Sequence, residues 1–452
     1  MASIIKRDNG KYAVVINYTD PTGVRRQKWE TFDTKKEAAA YKEKVEYSKS
    51  AGLPMILPTA KTVEELMADF VENYGREKWS HSNYGRSKSL IQNYINPYIG
   101  KMKLKDISPR WIESYYHTLL QQKRAHRPGL KDDEKNLISA STVRTVHKLL
   151  RCAFGQAERW ELIDSNPFTK VMAPRHKENR REIWEVDDLK KALAACDDPL
   201  LELCINLAFS CSLRLGEILG LTWDCIHISD ELINTNAAWL YVEKQLQRVS
   251  NDAIDSLSGD PIFLVFPQNK LGITTRLVLK EPKTASSVRK IFLPKTVALL
   301  LKKRKAYLDE IKEYLGDDYN DYDLVVCHDN GTPIEHNRIR DKFQALIRKA
   351  NLKPVVFHSL RHSSTTYKLK LSGGDIKAVQ GDTGHAEAAM ITERYAHILD
   401  DDRRINAEKF EEMFYQESGG LDNDDNTAEL LALMKKLKES PELLQLLKGL
   451  VK

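Results

Sequence analysis

Six side chains, spaced between positions 214 and 395 of a 452-residue chain, share one chemistry. From residue 357 the sequence reads FHSLRHSSTTYKLKLSGGDIKAVQGDTGHAEAAMITERYAHI. It holds His358 and Arg361 three apart, then His385 after Gly384, then Tyr395 ten positions on. A guanidinium offers a fixed fork of donors that matches two phosphate oxygens. Imidazoles donate to oxygen or move protons. A phenol becomes a covalent nucleophile once its proton is accepted. Upstream, AFSCSLRLGEILGLTWDCI places Glu217 three residues after Arg214, and EPKTASSVRKIFLP places Lys283 in a Pro-Lys-Thr turn before a strand-like run.

Arg214, Lys283, His358, Arg361, His385 and Tyr395, in that order, resemble the catalytic set of the tyrosine recombinase (phage integrase) family. Leu-Arg-Leu-Gly-Glu around Arg214, Gly-His at 384–385 and Arg-Tyr-Ala-His around Tyr395 carry the likeness. Within the family it is most like integrases of Gram-positive phages and conjugative transposons. The resemblance implies strand exchange through a 3′-phosphotyrosine and a Holliday junction. In that scheme Arg214 and Arg361 hold the nonbridging oxygens and Tyr395 attacks. Lys283 protonates the leaving 5′ oxygen, His358 serves the phenol as base, and His385 supports the phosphate. Glu217 orients Arg214. No cofactor and no metal are expected: carboxylate clusters of the two-metal kind are absent from the motif region. His328, His336 and His362 lack ligand spacing and Cys partners and read as structural or surface residues.

Taken singly, each of these residues has a plainer explanation. A lone Arg beside a Glu is usually a surface ion pair, a turn lysine is usually inert, and His-x-x-Arg alone is common. Six in order are not. The rival readings are a type IB topoisomerase-like enzyme and a catalytically silent DNA-binding architectural or regulatory protein.

Composition sets the frame. The length predicts about three domains, and 42% hydrophobic residues suffice for ordinary cores. No apolar run long enough for a membrane span occurs, and residues 1–12 show no signal-peptide pattern. Six cysteines without C-x-x-C spacing read as free thiols, so a cytoplasmic location is expected. The net charge is +6, and the basic excess lies in the first 182 residues. That imbalance suggests a polyanion partner, with nucleic acid first.

The elements follow from local patterns. Residues 4–7, 12–18 and 25–32 read as strands, and Asp33 or Thr34, with Glu37, caps a helix running to about 50. The family likeness makes residues 1–50 an arm-type DNA-binding domain, with Arg7, Lys11, Arg25, Arg26 and Lys28 as candidate contacts. Residues 51–61 read as a linker. Helices are predicted from Thr62 to 74, over 84–95 up to Asn96-Pro97, over 111–122 and over 141–159, with a loop at 124–140. They form a helical core-binding domain, 62–171, with Lys88, Lys103, Arg144, Lys148 and Arg151 as candidate phosphate contacts. Residues 172–183 read as an interdomain linker.

The catalytic domain is expected over 184–415, beginning at Asp187 or Asp188. It is read as mainly α with a small antiparallel sheet, in which 276–279 pairs with 288–293 across the Lys283 turn. Residues 250–260 read as a surface loop, 297–315 as a helix with a solvated basic run at 302–305, and 324–327 as a buried strand. Residues 416–452 read as a flexible acidic stretch and an amphipathic helix. The fold class is thus α+β multidomain. The implied partners are double-stranded DNA at core and arm sites, a homo-oligomer that is a tetramer on DNA, an excision factor and a host DNA-bending protein, with no membrane.

Overall fold

A computed structural model describes residues 2–19, 25–50, 60–125, 136–175, 182–257, 261–268, 272–282, 284–373, 375–383 and 407–408. The chain divides into two compact units, 1–79 with 83–177, and 178–452 with 80–82.

The first unit opens with strands β1 (Ala2–Lys6), β2 (Tyr12–Thr19) and β3 (Arg25–Phe32) in one antiparallel sheet, β2 central. Gly10 takes a positive φ of 79° in the first turn, where glycine alone has no steric penalty. Helix α1 (Lys35–Ser50) covers one face and closes a core of Ala2, Val14, Ile16, Ala38 and Val45. Its start is the predicted capping box: Glu37 N–H donates to Thr34 Oγ1, and Thr34 N–H to Glu37 Oε2.

The rest of this unit is helical. Thr62 caps α2 (Val63–Phe70) through a second box with Glu65, and a π-helical turn (Val71–Gly75) carries the path into α3 (Arg76–Lys78). Next come α4 (His81–Leu90), a second π turn (Ile91–Ile95) and α5 (Asn96–Ile99). Pro97 was expected to end the second helix, but the path runs on through it. The proline occupies the first turn of α5, where its missing N–H would have had no intrahelical partner. Helix α6 (Pro109–Gln121) begins at the Ser108 cap, and α7 (Ala140–Arg159) at the Ser139 cap. Val143, Val146, Leu150, Ala153, Phe154 and Ala157 recur at helical spacing and make the buried stripe of α7.

The second unit begins with Trp184, whose indole N–H donates to the Lys353 carbonyl at 2.9 Å. Helix α8 (Val186–Ala194) is capped by Glu185, ahead of both aspartates, and the Glu185 N–H donates to Asp188 Oδ2. Asp198 caps α9 (Pro199–Ser210), which is apolar almost all round and so lies in the core. Then follow α10 (Leu215–Leu219), β4 (Ile226–His227), α11 (Asp230–Asn234), β5 (Trp239–Val242), β6 (Gln245–Ser250), α12 (Asn251–Ser256), β7 (Ile262–Val265), β8 (Thr275–Lys280) and β9 (Arg289–Phe292). Helices α13 (Lys295–Leu315), α14 (His336–Lys349), α15 (Phe357–Leu371) and α16 (Ile376–Thr383) complete the described chain.

Three expectations are corrected here. The strands flanking Lys283 do not form a hairpin. Strand β9 pairs with β5 in a sheet ordered β4-β5-β9, whereas β8 lies between β6 and β7 in a second sheet. Both edges of β8 are taken, which leaves none for β9. Residues 250–260 are not simply a loop, since Ser250 caps α12. Residues 324–327 are buried as expected but form isolated bridges, Thr222 to Leu324 and Cys327 to Pro333, rather than a strand.

Candidate active site

The site is built where α10, α15 and the segment from Thr284 into β9 meet. Ser212 has a positive φ of 53°, uncommon for a residue with a Cβ, and turns the chain sharply before α10. Two contacts hold that turn: its hydroxyl lies 2.6 Å from the Ser364 hydroxyl, and its carbonyl accepts from Arg361. The turn sets Arg214 at the cap of α10, where its N–H donates to Glu217 Oε2 at 3.0 Å and its Nη1 to Glu217 Oε1 at 2.6 Å. Gly220 ends α10 against β6. A Cβ there would sit 2.5 Å from the Leu246 nitrogen, so only glycine permits the approach.

Glu217 is the hub. Besides Arg214 it accepts Arg289 Nη2 at 3.1 Å, and Arg361 Nη1 lies 4.0 Å away. Burial alone would raise its pKa; the guanidiniums of Arg289 and Arg214 more than offset this, so the carboxyl stays below its ordinary range and ionised. Arg214 also donates to the Ser287 hydroxyl at 3.3 Å, which in turn lies 2.9 Å from Thr284 Oγ1. Thr284 directly follows Lys283.

Helix α15 supplies His358 and Arg361, one turn apart. Arg361 is 2% exposed, and it donates to the carbonyls of Ser212 and Thr383. His358 is exposed, and its ring meets that of His362 edge-on at 4.7 Å. Three of the six expected groups, Arg214, His358 and Arg361, are therefore described, and the two arginines converge on one carboxylate. Lys283, His385 and Tyr395 lie outside the described residues, as does the expected C-terminal helix. Ser287 and Arg289 were not singled out from the sequence. Both stand in the Pro-Lys-Thr-x-x-Ser-x-Arg phrase that drew attention to Lys283.

One acidic cluster elsewhere, Asp224, Cys225 and Glu243, has ligand-like spacing. Lys244 fills it: its ammonium donates to Asp224 Oδ2 at 2.5 Å and to Thr222 Oγ1 at 3.0 Å. The basic run at 302–305 is also internally used. Arg304 donates to the Val325 and Cys327 carbonyls, and Lys302 pairs with Asp230. Burial pushes the Cys204 and Cys211 thiols up to about 12, so both are neutral packing groups.

The candidate DNA contacts fall in three sets. Arg144, Lys148 and Arg151 are exposed at i, i+4 and i+7 on α7, away from its buried stripe. Lys103 is exposed, while half-buried Lys88 lies over the Tyr84 ring. On the first sheet, Arg7 lies 5.7 Å from the Trp29 ring, Arg25 is exposed, and Lys11 pairs with Asp33 at 2.8 Å. The side chains of Arg26 and Lys28 lie outside the described residues.

A half-exposed arginine and a buried one thus share a carboxylate, beside an exposed histidine, on a mainly helical domain. Residues 276–402 match the phage integrase family, 62–120 the N-terminal SAM-like domain of phage integrases, and 3–47 an arm DNA-binding domain. A XerC-like tyrosine recombinase of Caldanaerobacter subterraneus subsp. tengcongensis is 24% identical over 84% of this chain and 90% of its own. The ICEBs1 integrase of Bacillus subtilis is 22% identical over 91% of this chain and 100% of its own. The solved Tn1549 transposon integrase, in complex with a circular intermediate DNA, shares the fold with a TM-score of 0.56. It has 18% identity over 78% of this chain and 100% of that one. The matched segments and the names of these relatives all point to the tyrosine recombinase, or phage integrase, family.

Proposed function

We propose that this protein is a site-specific DNA recombinase that integrates and excises a mobile element. The observation that carries the reading is the convergence of Arg214 and Arg361 on Glu217, with His358 one turn before Arg361. Preorganised positive charge is the main lever in phosphoryl transfer, because the transition state spreads negative charge over the equatorial oxygens. Arg214, half-exposed, meets one nonbridging oxygen. Arg361, held by the carbonyls of Ser212 and Thr383, adds a second fixed positive charge beside it.

The phenol oxygen of Tyr395 attacks phosphorus, its proton passing to His358. The bond to the 5′ oxygen breaks, and that oxygen takes a proton from Lys283. His385 supports the phosphate. The 3′-phosphotyrosine conserves the bond energy, so the 5′ hydroxyl of a partner strand reverses the step without ATP. Two such rounds pass through a four-way junction and engage four protomers on two DNA segments. The domain division proposed is 1–50 for arm sites, 62–171 for the core site and 184–415 for catalysis, with linkers at 51–61 and 172–183 and an appended segment at 416–452. A cytoplasmic location, an excision factor and a host DNA-bending protein belong to the same reading.

The test is a two-site assay. Two duplexes carrying the crossover sequence, one labelled, are incubated with the chain without metal or ATP. Joined products of both parents support recombination. Relaxation of a supercoiled plasmid without joint products favours the topoisomerase reading. Binding without either favours a silent architectural protein.

A further inference from the structure

Arg289 opens β9, where the chain leaves the segment that begins at Lys283. Its guanidinium is buried, with the residue 7% exposed, and three partners use it. Nη2 donates to Glu217 Oε2 at 3.1 Å, Nε to the Asp382 carbonyl at 3.0 Å, and Nη1 to the Ser287 carbonyl at 2.8 Å. Each partner belongs to a different part of the site. Glu217 holds Arg214. The Ser287 hydroxyl accepts from Arg214, and its backbone follows Lys283 by four residues. Asp382 stands three residues before His385, and the next carbonyl, that of Thr383, accepts from Arg361.

Burying a charge costs several kcal/mol in desolvation, so a buried arginine with a carboxylate and two carbonyls as partners is a specific arrangement rather than a generic one. The planar fork suits this place. It reaches a carboxylate and two carbonyls in fixed directions at once, which an ammonium on a flexible stem does not. Because Arg289 occupies Glu217 Oε2, Oε1 is left to the side chain of Arg214, and that fixes where the Arg214 guanidinium points.

We propose that Arg289 is a positioning residue for strand cleavage. It shares Glu217 with Arg214, and it ties down the two chain segments that adjoin Lys283 and lead to His385. It does not touch DNA. This rests on the recombinase reading above.

The test measures three quantities: the single-turnover rate of covalent complex formation at saturating DNA, the DNA affinity, and Tm. The probe is a nicked duplex selected by this chain from a random-sequence pool. The proteins are wild type, Arg289→Met, Arg289→Lys, Arg304→Met and Tyr395→Phe. Arg304 serves as the control because it also holds two buried carbonyls, but its described partners are separate from Glu217, Arg214 and Arg361. Arg289→Met is expected to slow cleavage about 100-fold with affinity within about twofold of wild type. Arg289→Lys keeps a charge against Glu217, folds, and remains about tenfold slow because the two carbonyls are lost. Arg304→Met lowers Tm but cleaves at the wild-type rate. The proposal is overturned if Arg289→Lys and Arg289→Met cleave within about twofold of wild type, or if Arg304→Met is slowed as much as they are. A wild type that forms no Tyr395-dependent complex brings down the recombinase reading and this proposal with it. A wild type that does, beside unaffected Arg289 variants, removes this proposal alone.

Discussion

Arg214 Nη1 meets Glu217 Oε1 at 2.6 Å across one turn of α10, with the arginine side chain 36% exposed and the glutamate side chain 2%. The pair therefore has a wet end and a dry end. The dry carboxylate fixes the guanidinium from behind, and the arginine's other end faces solvent.

Replacing Glu217 by Gln leaves Arg289 buried without its counter-charge. Removing one partner of a buried pair costs about 3–5 kcal/mol, so urea unfolding should show a midpoint well below wild type. Cleavage should also slow by about 100-fold, because the Arg214 guanidinium loses its charged anchor.

Gly220→Ala tests the close approach of α10 to β6. The added carbon would meet backbone atoms of Gln245 and Leu246 at 2.5–2.6 Å, and backbone cannot swing aside. A loss of about 1–3 kcal/mol is expected in the same unfolding measurement. Gly216→Ala is the milder companion, since its nearest neighbour lies at 3.3 Å.

The α7 stripe gives a salt prediction. Each phosphate contact removed lowers the slope of log affinity against log salt by about 0.9. Arg144→Gln, Lys148→Gln and Arg151→Gln should each flatten that slope by nearly one and weaken binding alike across sequences. Unchanged slopes would place the stripe away from DNA.

His147 supplies a pH prediction. Its Nδ1 lies 2.7 Å from the Tyr116 hydroxyl inside the helical unit. Burial, with Arg151 and Arg144 nearby, holds its pKa below the ordinary 6.5. The folded state therefore favours the neutral ring. The stability this contributes is fully present above 6.5 and is lost as pH falls from there through the depressed value. The Tm difference between wild type and His147→Gln should shrink from pH 8 to pH 5, and a constant difference would argue against it.

How far the sequence spoke depends on the range of the interaction. Helix starts were legible at Thr34 and Thr62 because the capping partners sit three residues apart. The pairing around Lys283 was not. The runs TRLVLK and VRKIFL stand close together and alternate, which looks like a hairpin, but the partner of β8 is QLQRVS at 245–250, polar enough to pass for loop. Sheet order is decided by which edges are occupied, and no local pattern carries that. Arg289 was equally hidden. A charged residue at a strand start reads as solvent-facing, and only the fold shows Glu217 and the Asp382 carbonyl on its other side.

The central claim is that Tyr395 makes a covalent bond to DNA. Wild-type and Tyr395→Phe chains would be incubated with nicked duplex, without metal or ATP, and run on a denaturing gel. The account predicts a protein–DNA band with the wild type that protease removes and that Tyr395→Phe lacks. A clear mobility shift on the same DNA with no covalent band, or a band that survives Tyr395→Phe, would contradict it.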